Sequence, residues 1–446
     1  MSLLRSARGG LPSSAQVVIV GGGPAGATTA WCCARAGLDV VLLDRAFFPR
    51  SKPCAEYVSP EGSRILSEMG VLLALEARAA SLSGMIVHAP SGAQIHGEFA
   101  AAQGFRGFRD RGLGIRREIL DTALVSCARA AGVRVFEGVK IDDVTRDAQG
   151  TACGVTVRTE QGAHAISASL VIGADGLRSV VSRRLDLART ARWPRRLALV
   201  AHYRDVSGMR GVGEMHVHGD GYVGLASVGE GLTNVALVVP TAQARTMAGD
   251  PAQFLTSWIA SHPVLARRFA TATRVTDVQA TGPFASRARR PFAPGAALVG
   301  DAADFFDPFT GEGIYAALRG AELLAPYAIE SVRHTQLGAP RDALHALADY
   351  ERARNNAFAG KWRVERLIGT AVAFPALMNG AAHVLGQDRV LADLLIGVTG
   401  DVVPAGAIVR PRMVLRLAAA VFRSMIRPSR GAPTSSPHSL PHVHRS

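Results

Sequence analysis

Lysine is nearly missing from this sequence. Of its 50 basic residues only Lys52, Lys140 and Lys361 are lysines, so the excess over 36 acids, a formal net charge of +14, is carried by arginine. The arginines are scattered, and no basic run interleaves with aromatics, which argues against nucleic acid as a partner. A surface of this sign still attracts anions such as a phosphorylated cofactor, an acidic electron carrier or anionic lipid. Cysteine is scarce too: Cys32, Cys33, Cys54, Cys127 and Cys153 are an odd number, and none has a metal-ligand spacing. No CxxC run is present, so neither a zinc site, an iron–sulfur cluster nor a disulfide framework is expected, and the five read as reduced thiols of a cytoplasmic protein.

Long uninterrupted apolar runs are lacking as well. The first apolar stretch begins only at Val17 and is broken by glycines, which fits a buried strand and not a signal peptide. Residues 367–387 carry no charge, but Pro375, Asn379 and His383 punctuate them, which predicts a buried helix pair in place of a membrane span. What is there in quantity is apolar material, 48% of 446 residues, enough for two or three packed units around a substantial core.

The strongest local signal is QVVIVGGGPAGATTAWCCARAGLDVVLLDR, residues 16–45. A continuous apolar run, 17–20, fits a strand buried on both faces, and Gly21-x-Gly23-x-x-Gly26 follows it directly. A helix is expected over 25–35, stopped by Gly37, and then a second strand over 40–43 ending in Asp44. Gly21 permits the tight turn, Gly23 lets the backbone approach a pyrophosphate, and Gly26 lets helix and strand pack closely. Asp44, with Arg45 beside it, lies where an acid accepts hydrogen bonds from an adenosine ribose.

Two later motifs identify the dinucleotide. SLVIGADGLRSVVSRRL (169–185) ends an apolar strand in Gly173-Ala174-Asp175-Gly176, and ALVGDAADFFDPFTGEGIYAALRGAELLA (297–325) ends another in Gly300-Asp301. With the first loop they resemble the FAD-binding fold shared by aromatic hydroxylases, geranylgeranyl reductases and flavin halogenases, over roughly residues 15–330. The resemblance implies an α/β protein: a Rossmann-type FAD-binding domain (13–80, 113–190, 275–330) interleaved with an antiparallel-sheet substrate domain (81–112, 191–274); a C-terminal helical region (331–428) is expected to follow, and the proline- and serine-rich 429–446 reads as a disordered tail. It implies FAD as cofactor, held by Asp175, Gly176, Gly300, Asp301, Pro308, Gly311 and Gly313 in addition to the first loop. An acid at a strand end such as Asp301 suits the hydroxyls of a ribityl chain. The glycine-rich FTGEGI opens a helix, expected over 314–325, whose N-terminal dipole favours negative charge at the flavin edge above Gly311 and Gly313.

GIRREILDTALVSCARAAGVRVFEG (114–138) is similar to the family's R-x-x-[LF]-D helix start, whose arginine lies beside the cofactor. Either Arg116 or Arg117 could fill that place, and the spacing to Asp121 favours Arg117. The segment FPRSKPCAEYVSPEG (48–62), with PFTGEGIY, is closer to the geranylgeranyl-reductase branch than to the hydroxylases, although Ala55 stands where relatives have glycine. This places Cys54 on the loop lining the flavin. As a catalytic residue it needs a lowered pKa, which Lys52 and Arg50 would provide if they point inward; the plainer reading is a polarizable side chain packed on the ring.

Residues 197–239 alternate well enough to predict an antiparallel meander with turns at 219–221 and 229–233, a wall over the flavin to which Tyr222 and His216 contribute. His216 and His218 share a strand face with no third ligand in sight, so no metal is expected. The Y-x-W-x-F-P stretch of the reductases is reduced here to Tyr222, and the halogenase W-x-W-x-I-P is absent, since Trp31, Trp193, Trp258 and Trp362 lie far apart.

The expected function is therefore two-electron redox of a mostly apolar small molecule, by C=C reduction with reduced flavin. The alternatives are an NAD(P)H-dependent flavin monooxygenase and, further off, a flavoprotein passing electrons to a quinone, or a halogenase. No second GxGxxG follows a strand, so NAD(P)H docks transiently or a redox partner protein supplies electrons. Finally RMVLRLAAAVFRSMIR (412–427) is a basic amphipathic helix that either docks on the core or brings the protein peripherally to an anionic membrane.

Overall fold

A computed structural model describes residues 10–100, 103–159, 162–190 and 195–408. The basic segment 412–427, the tail 429–446 and Trp193 lie outside the described residues.

Two large sheets organise the chain. The first has eight strands, in the order Phe292–Ala293, Ala296–Leu298, Gly162–Gly173, Ser14–Val20, Val40–Asp44 and Arg134–Glu137, with the antiparallel strands Ala152–Thr159 and Ile141–Arg146 carried on Gly162–Gly173. Its central pairings are parallel, which requires cover on both faces. The strand Ser14–Val20 shows how the sequence meets that demand. Val17 and Ile19 pack into a cluster with the helices Pro24–Arg35, Arg117–Ala130 and Gly313–Gln336, while Val18 and Val20 pack into the cluster on the opposite face with Val144 and Val155. Fully burying side chains of this kind stabilises by about 1.5–3 kcal/mol each.

The second sheet also has eight strands. Its path runs Thr273–Arg274, Arg196–Arg204, Thr233–Pro240, Gly221–Ser227, Gly213–His218, Gly84–His88 and Gln94–Glu98. The expected meander is its centre, but Gly213–His218 pairs in parallel with Gly84–His88, so a hairpin from earlier in the chain completes the wall.

The uncharged run 367–387 breaks at Pro375, where the helices Pro340–Ala373 and Pro375–Gln387 meet at a 115° bend. No single helix among the described residues is long and apolar enough to cross a membrane. Met378, Ala382, Leu385, Ala392 and Ile396, from Pro375–Gln387 and Arg389–Thr399, share a buried cluster with Ile95 and Phe99. The helical C-terminal part thus closes over the outer end of the second sheet.

Candidate active site

Between the two sheets lies a cleft. Gly23, Arg117, Gly176, Asp301, Pro308, Gly311 and Gly313 line it from the first sheet's loops, Cys54 from the connecting loop and Tyr222 from the second sheet.

The glycine loop is built as its residue types require. Gly21 has φ +103°, and a Cβ there would lie 2.5 Å from the Ala174 carbonyl oxygen. At Gly26 a Cβ would lie 1.8 Å from the Gly21 carbonyl oxygen, so helix and loop touch backbone to backbone. Gly23 is different. The nearest atoms to a Cβ there are the Nη2 atoms of Arg50 and Arg117, at 3.6 and 3.7 Å. Two guanidinium groups thus converge on open space at the start of the helix Pro24–Arg35, whose first turn has neither a side-chain cap nor an acid. Helix dipole and guanidinium charge together suit a pyrophosphate, so the residues present fit a dinucleotide.

Asp44 is buried and braces this loop: its Oδ2 accepts the Gly22 N–H at 2.7 Å and its Oδ1 the Ala46 N–H at 2.8 Å. Arg45 is exposed past the strand end, and Arg50 turns inward in its stead, 3.1 Å from Asp121 and 3.8 Å from Asp44. Of the two candidate arginines, Arg116 pairs with Glu118 and Glu230, while Arg117 is buried and forks onto Asp121 at 2.8 and 2.7 Å.

Asp175 stays off the cleft, accepting the Val180 N–H at 2.6 Å; burial raises its carboxyl above the usual range. Gly176, at φ +80°, lets the chain turn along the cleft beside Lys52. Lys52 Nζ lies 3.8 Å from Asp301, whose turn approaches the first helix because Gly300 has no side chain: a Cβ there would sit 2.9 Å from that of Ala25. Gly311, at φ +72°, packs on the Tyr57 ring, and Gly313 begins the long helix, which runs on to Gln336, well past the expected stop at 325.

His216 does not reach the cleft. The hairpin register sets Val217 opposite Tyr222 and His216 opposite Val223, so Tyr222 and His216 project from opposite faces. On the far face His216 stacks on His88, ring centroids 4.1 Å apart, and its Nε2 lies 3.0 Å from Glu214. His88, Glu214 and His216 bring ligand-type atoms within 4.8 Å of one another, but Arg268 forks onto Glu214 and fills the cation's place. Burial alone would raise the Glu214 carboxyl; hydrogen bonds from His216 and Arg268 outweigh it and hold it down at about 2.

Sequence reasoning missed the polar groups that hold the cleft's two walls together. Glu56, in a left-handed conformation at φ +58°, buries its carboxylate between the sheets. It accepts from Arg117 N at 2.8 Å and Asn234 Nδ2 at 2.9 Å, and lies 2.6 Å from His202 Nε2. Asn234 also donates to the Cys54 carbonyl at 2.9 Å, and Cys54 Sγ accepts the Glu56 N–H at 3.3 Å. Cys54 is therefore held through Glu56 and Asn234, while Arg50 and Lys52 are engaged with Asp121 and Asp301. On the other side the Tyr222 hydroxyl donates to Asp307 at 2.7 Å, and Asp307 pairs with Arg196. Burial, then the Asp307 charge, push the Tyr222 hydroxyl well above its ordinary range. The sequence offered one signal for each: Glu56 is in the Cys54 segment and Asp307 precedes Pro308.

The FAD binding domain family matches residues 14–341. The chain belongs to that family. It is an FAD-dependent oxidoreductase. Digeranylgeranylglycerophospholipid reductase 2 of Methanopyrus kandleri is 29% identical over 331 residues, covering 72% of this chain and 79% of the relative. Among solved structures, CmlS, a flavin-dependent halogenase, superposes with a TM-score of 0.69 at 25% identity, over 78% of this chain and 63% of that one. A geranylgeranyl bacteriochlorophyll reductase-like protein of Thermoplasma acidophilum gives 0.72 at 21% identity, over 92% and 99%; at that identity the likeness is one of fold.

Proposed function

We propose that this oxidoreductase reduces carbon–carbon double bonds of a long apolar, isoprenoid-type substrate. The observation that carries the reading is the cleft's second wall. Ala198, Val200, Gly224, Ala226, Ala236 and Val238 face the FAD loops with small apolar side chains, which leaves room for a chain-like hydrocarbon where bulkier aromatics would close it. The likeness to a digeranylgeranylglycerophospholipid reductase supports the same substrate class.

Bound FAD supplies two-electron redox chemistry. The chain's residues bind and orient it. The Gly23 backbone with Arg50 and Arg117 takes the pyrophosphate, Asp301 accepts from the ribityl hydroxyls, and the helix start at Gly313 faces the flavin edge. Asp44, Asp175 and Gly300 shape these loops, and Arg45 serves no such role in the reading. Cys54 and Tyr222 border the substrate space from opposite sides, each fixed by a buried partner. The reductant in this reading is NAD(P)H docking transiently or a protein donor. Peripheral membrane contact through 412–427 would bring the enzyme to a lipid-dissolved substrate.

The test is anaerobic mixing of photoreduced holoenzyme with polyprenyl lipids. Flavin reoxidation without oxygen, with product heavier by H2, is the expected result. Reoxidation only with oxygen, and an oxygen atom in the product, would replace this reading by monooxygenation.

A further inference from the structure

Behind the cleft lies a second cavity, and Asp301, Phe305, Thr310 and Gly313 line both. Glu312, Lys361 and Glu365 stand in its wall. Glu312 is the residue before the helix that faces the flavin edge, and it is only 5% exposed. Its Oε2 lies 3.1 Å from Lys361 Nζ, and Lys361 also pairs with Asp401. Glu365, one turn beyond Lys361 on the same helix, lines the same cavity wall as Glu312.

The cluster thus sets one ammonium against three carboxyls in a buried place, where a second negative charge without a partner is strongly disfavoured. Other charged or titratable groups among the described residues face the cluster or its cavity. Tyr315 lies under Lys361, with Arg319 one turn further; Tyr57, Ser59 and Glu61 face Asp401 from the preceding strand and helix; Arg354 is engaged by Asp304; and Arg287, Arg366, Asp301 and Asp307 line the same cavity. The Tyr57 hydroxyl is buried with no hydrogen-bond partner among the described residues.

We infer that the Glu312–Glu365–Lys361–Asp401 cluster is a proton store coupled to the charge on the flavin, filled from solvent through the second cavity. The inference rests on the flavin being seated as proposed above. When two electrons and one proton are delivered to the isoalloxazine by a reduced mediator dye, the cluster takes one further proton from water. It forms an O–H bond on a carboxylate, and nothing else is oxidised. The added negative charge lies close to the Glu312 end of the helix, and proton uptake answers it. Burial raises the Glu312 carboxyl well above the usual range and the Glu365 carboxyl to about 7, so exchange falls in an accessible pH range.

The experiment is spectroelectrochemistry of the FAD-loaded full chain across neutral and mildly alkaline pH, with Glu312→Gln and Glu365→Gln beside the wild type. Uptake of a proton adds about 30 mV per pH unit to the slope of midpoint potential for a two-electron couple. Above pH 7 the wild-type slope should exceed that of both variants by this amount. Losing a fixed charge without proton exchange shifts the potential equally at every pH and leaves the slope alone, so equal slopes in wild type and variants overturn the store. If Glu312→Gln fails to fold, the half-buried Glu365→Gln decides the matter. Wild-type protein that cannot be loaded with FAD would instead sink the seating on which the inference rests.

Discussion

The Glu56 carboxylate lies 2.6 Å from His202 Nε2, joining the Cys54 loop to the middle of the second sheet. The contact spans 146 residues of sequence and sits where both walls of the cleft meet. Replacing Glu56 by alanine strands three buried donors, on Arg117, His202 and Asn234, and should lower stability by about 2–4 kcal/mol. Urea unfolding of the FAD-loaded protein measures it. A change within about 0.5 kcal/mol, the range of surface substitutions, would show that the network is slack.

Asp301→Ala removes the acceptor at the strand end. Loss of a charge-assisted hydrogen bond, about 1.5–3 kcal/mol, corresponds to a roughly tenfold to hundredfold fall in FAD affinity. Purified variant that keeps stoichiometric flavin through dialysis would contradict the assignment.

Cys54→Ala should keep the flavin spectrum and most of the turnover, because the loop is held through the Cys54 carbonyl and the Glu56 carboxylate, which the substitution leaves in place. Turnover lower by about a hundredfold with normal flavin content would make the thiol an essential acid or nucleophile.

Acid should loosen the second sheet in two stages. Burial, then the neighbouring histidines, hold His88 and His218 down at about 4 against an ordinary 6.5, so the unfolded chain binds protons first and stability falls as pH drops from 6.5 towards 4. Glu214, held at about 2 against 4.5, stabilises above 4.5 and loses that contribution as pH falls towards 2. Thermal melts against pH check both, and Glu214→Gln should flatten the lower stage.

Much of this was legible in the residues. Gly21, Gly23 and Gly26 announce their geometry because the constraint is local: a turn and two close approaches within one loop. Asp301 and Gly313 follow for the same reason. His216 was misplaced although the sequence held the answer, since a tight turn at 219–220 fixes the pairing and puts His216 and Tyr222 on opposite faces. Arg50, Glu56 and Asp307 were legible only as members of their motifs, not in their roles. Each is defined by a partner far along the chain, and the left-handed turn at Glu56 has no signature in residue type.

The bend at Pro375 has a further effect. Gln94–Glu98 is the last strand of its sheet, and an outer strand offers unpaired backbone groups to any passing chain. After the bend, Asp393 accepts the Glu98 N–H at 3.0 Å, Asn379 accepts the Ser91 N–H at 2.9 Å, and Gly386 lies close against the Gln94 carbonyl. The two short helices therefore act as an edge guard against aggregation. A chain cut before Pro375 would keep its cofactor loops yet present a raw β edge, ready to pair with its own copies.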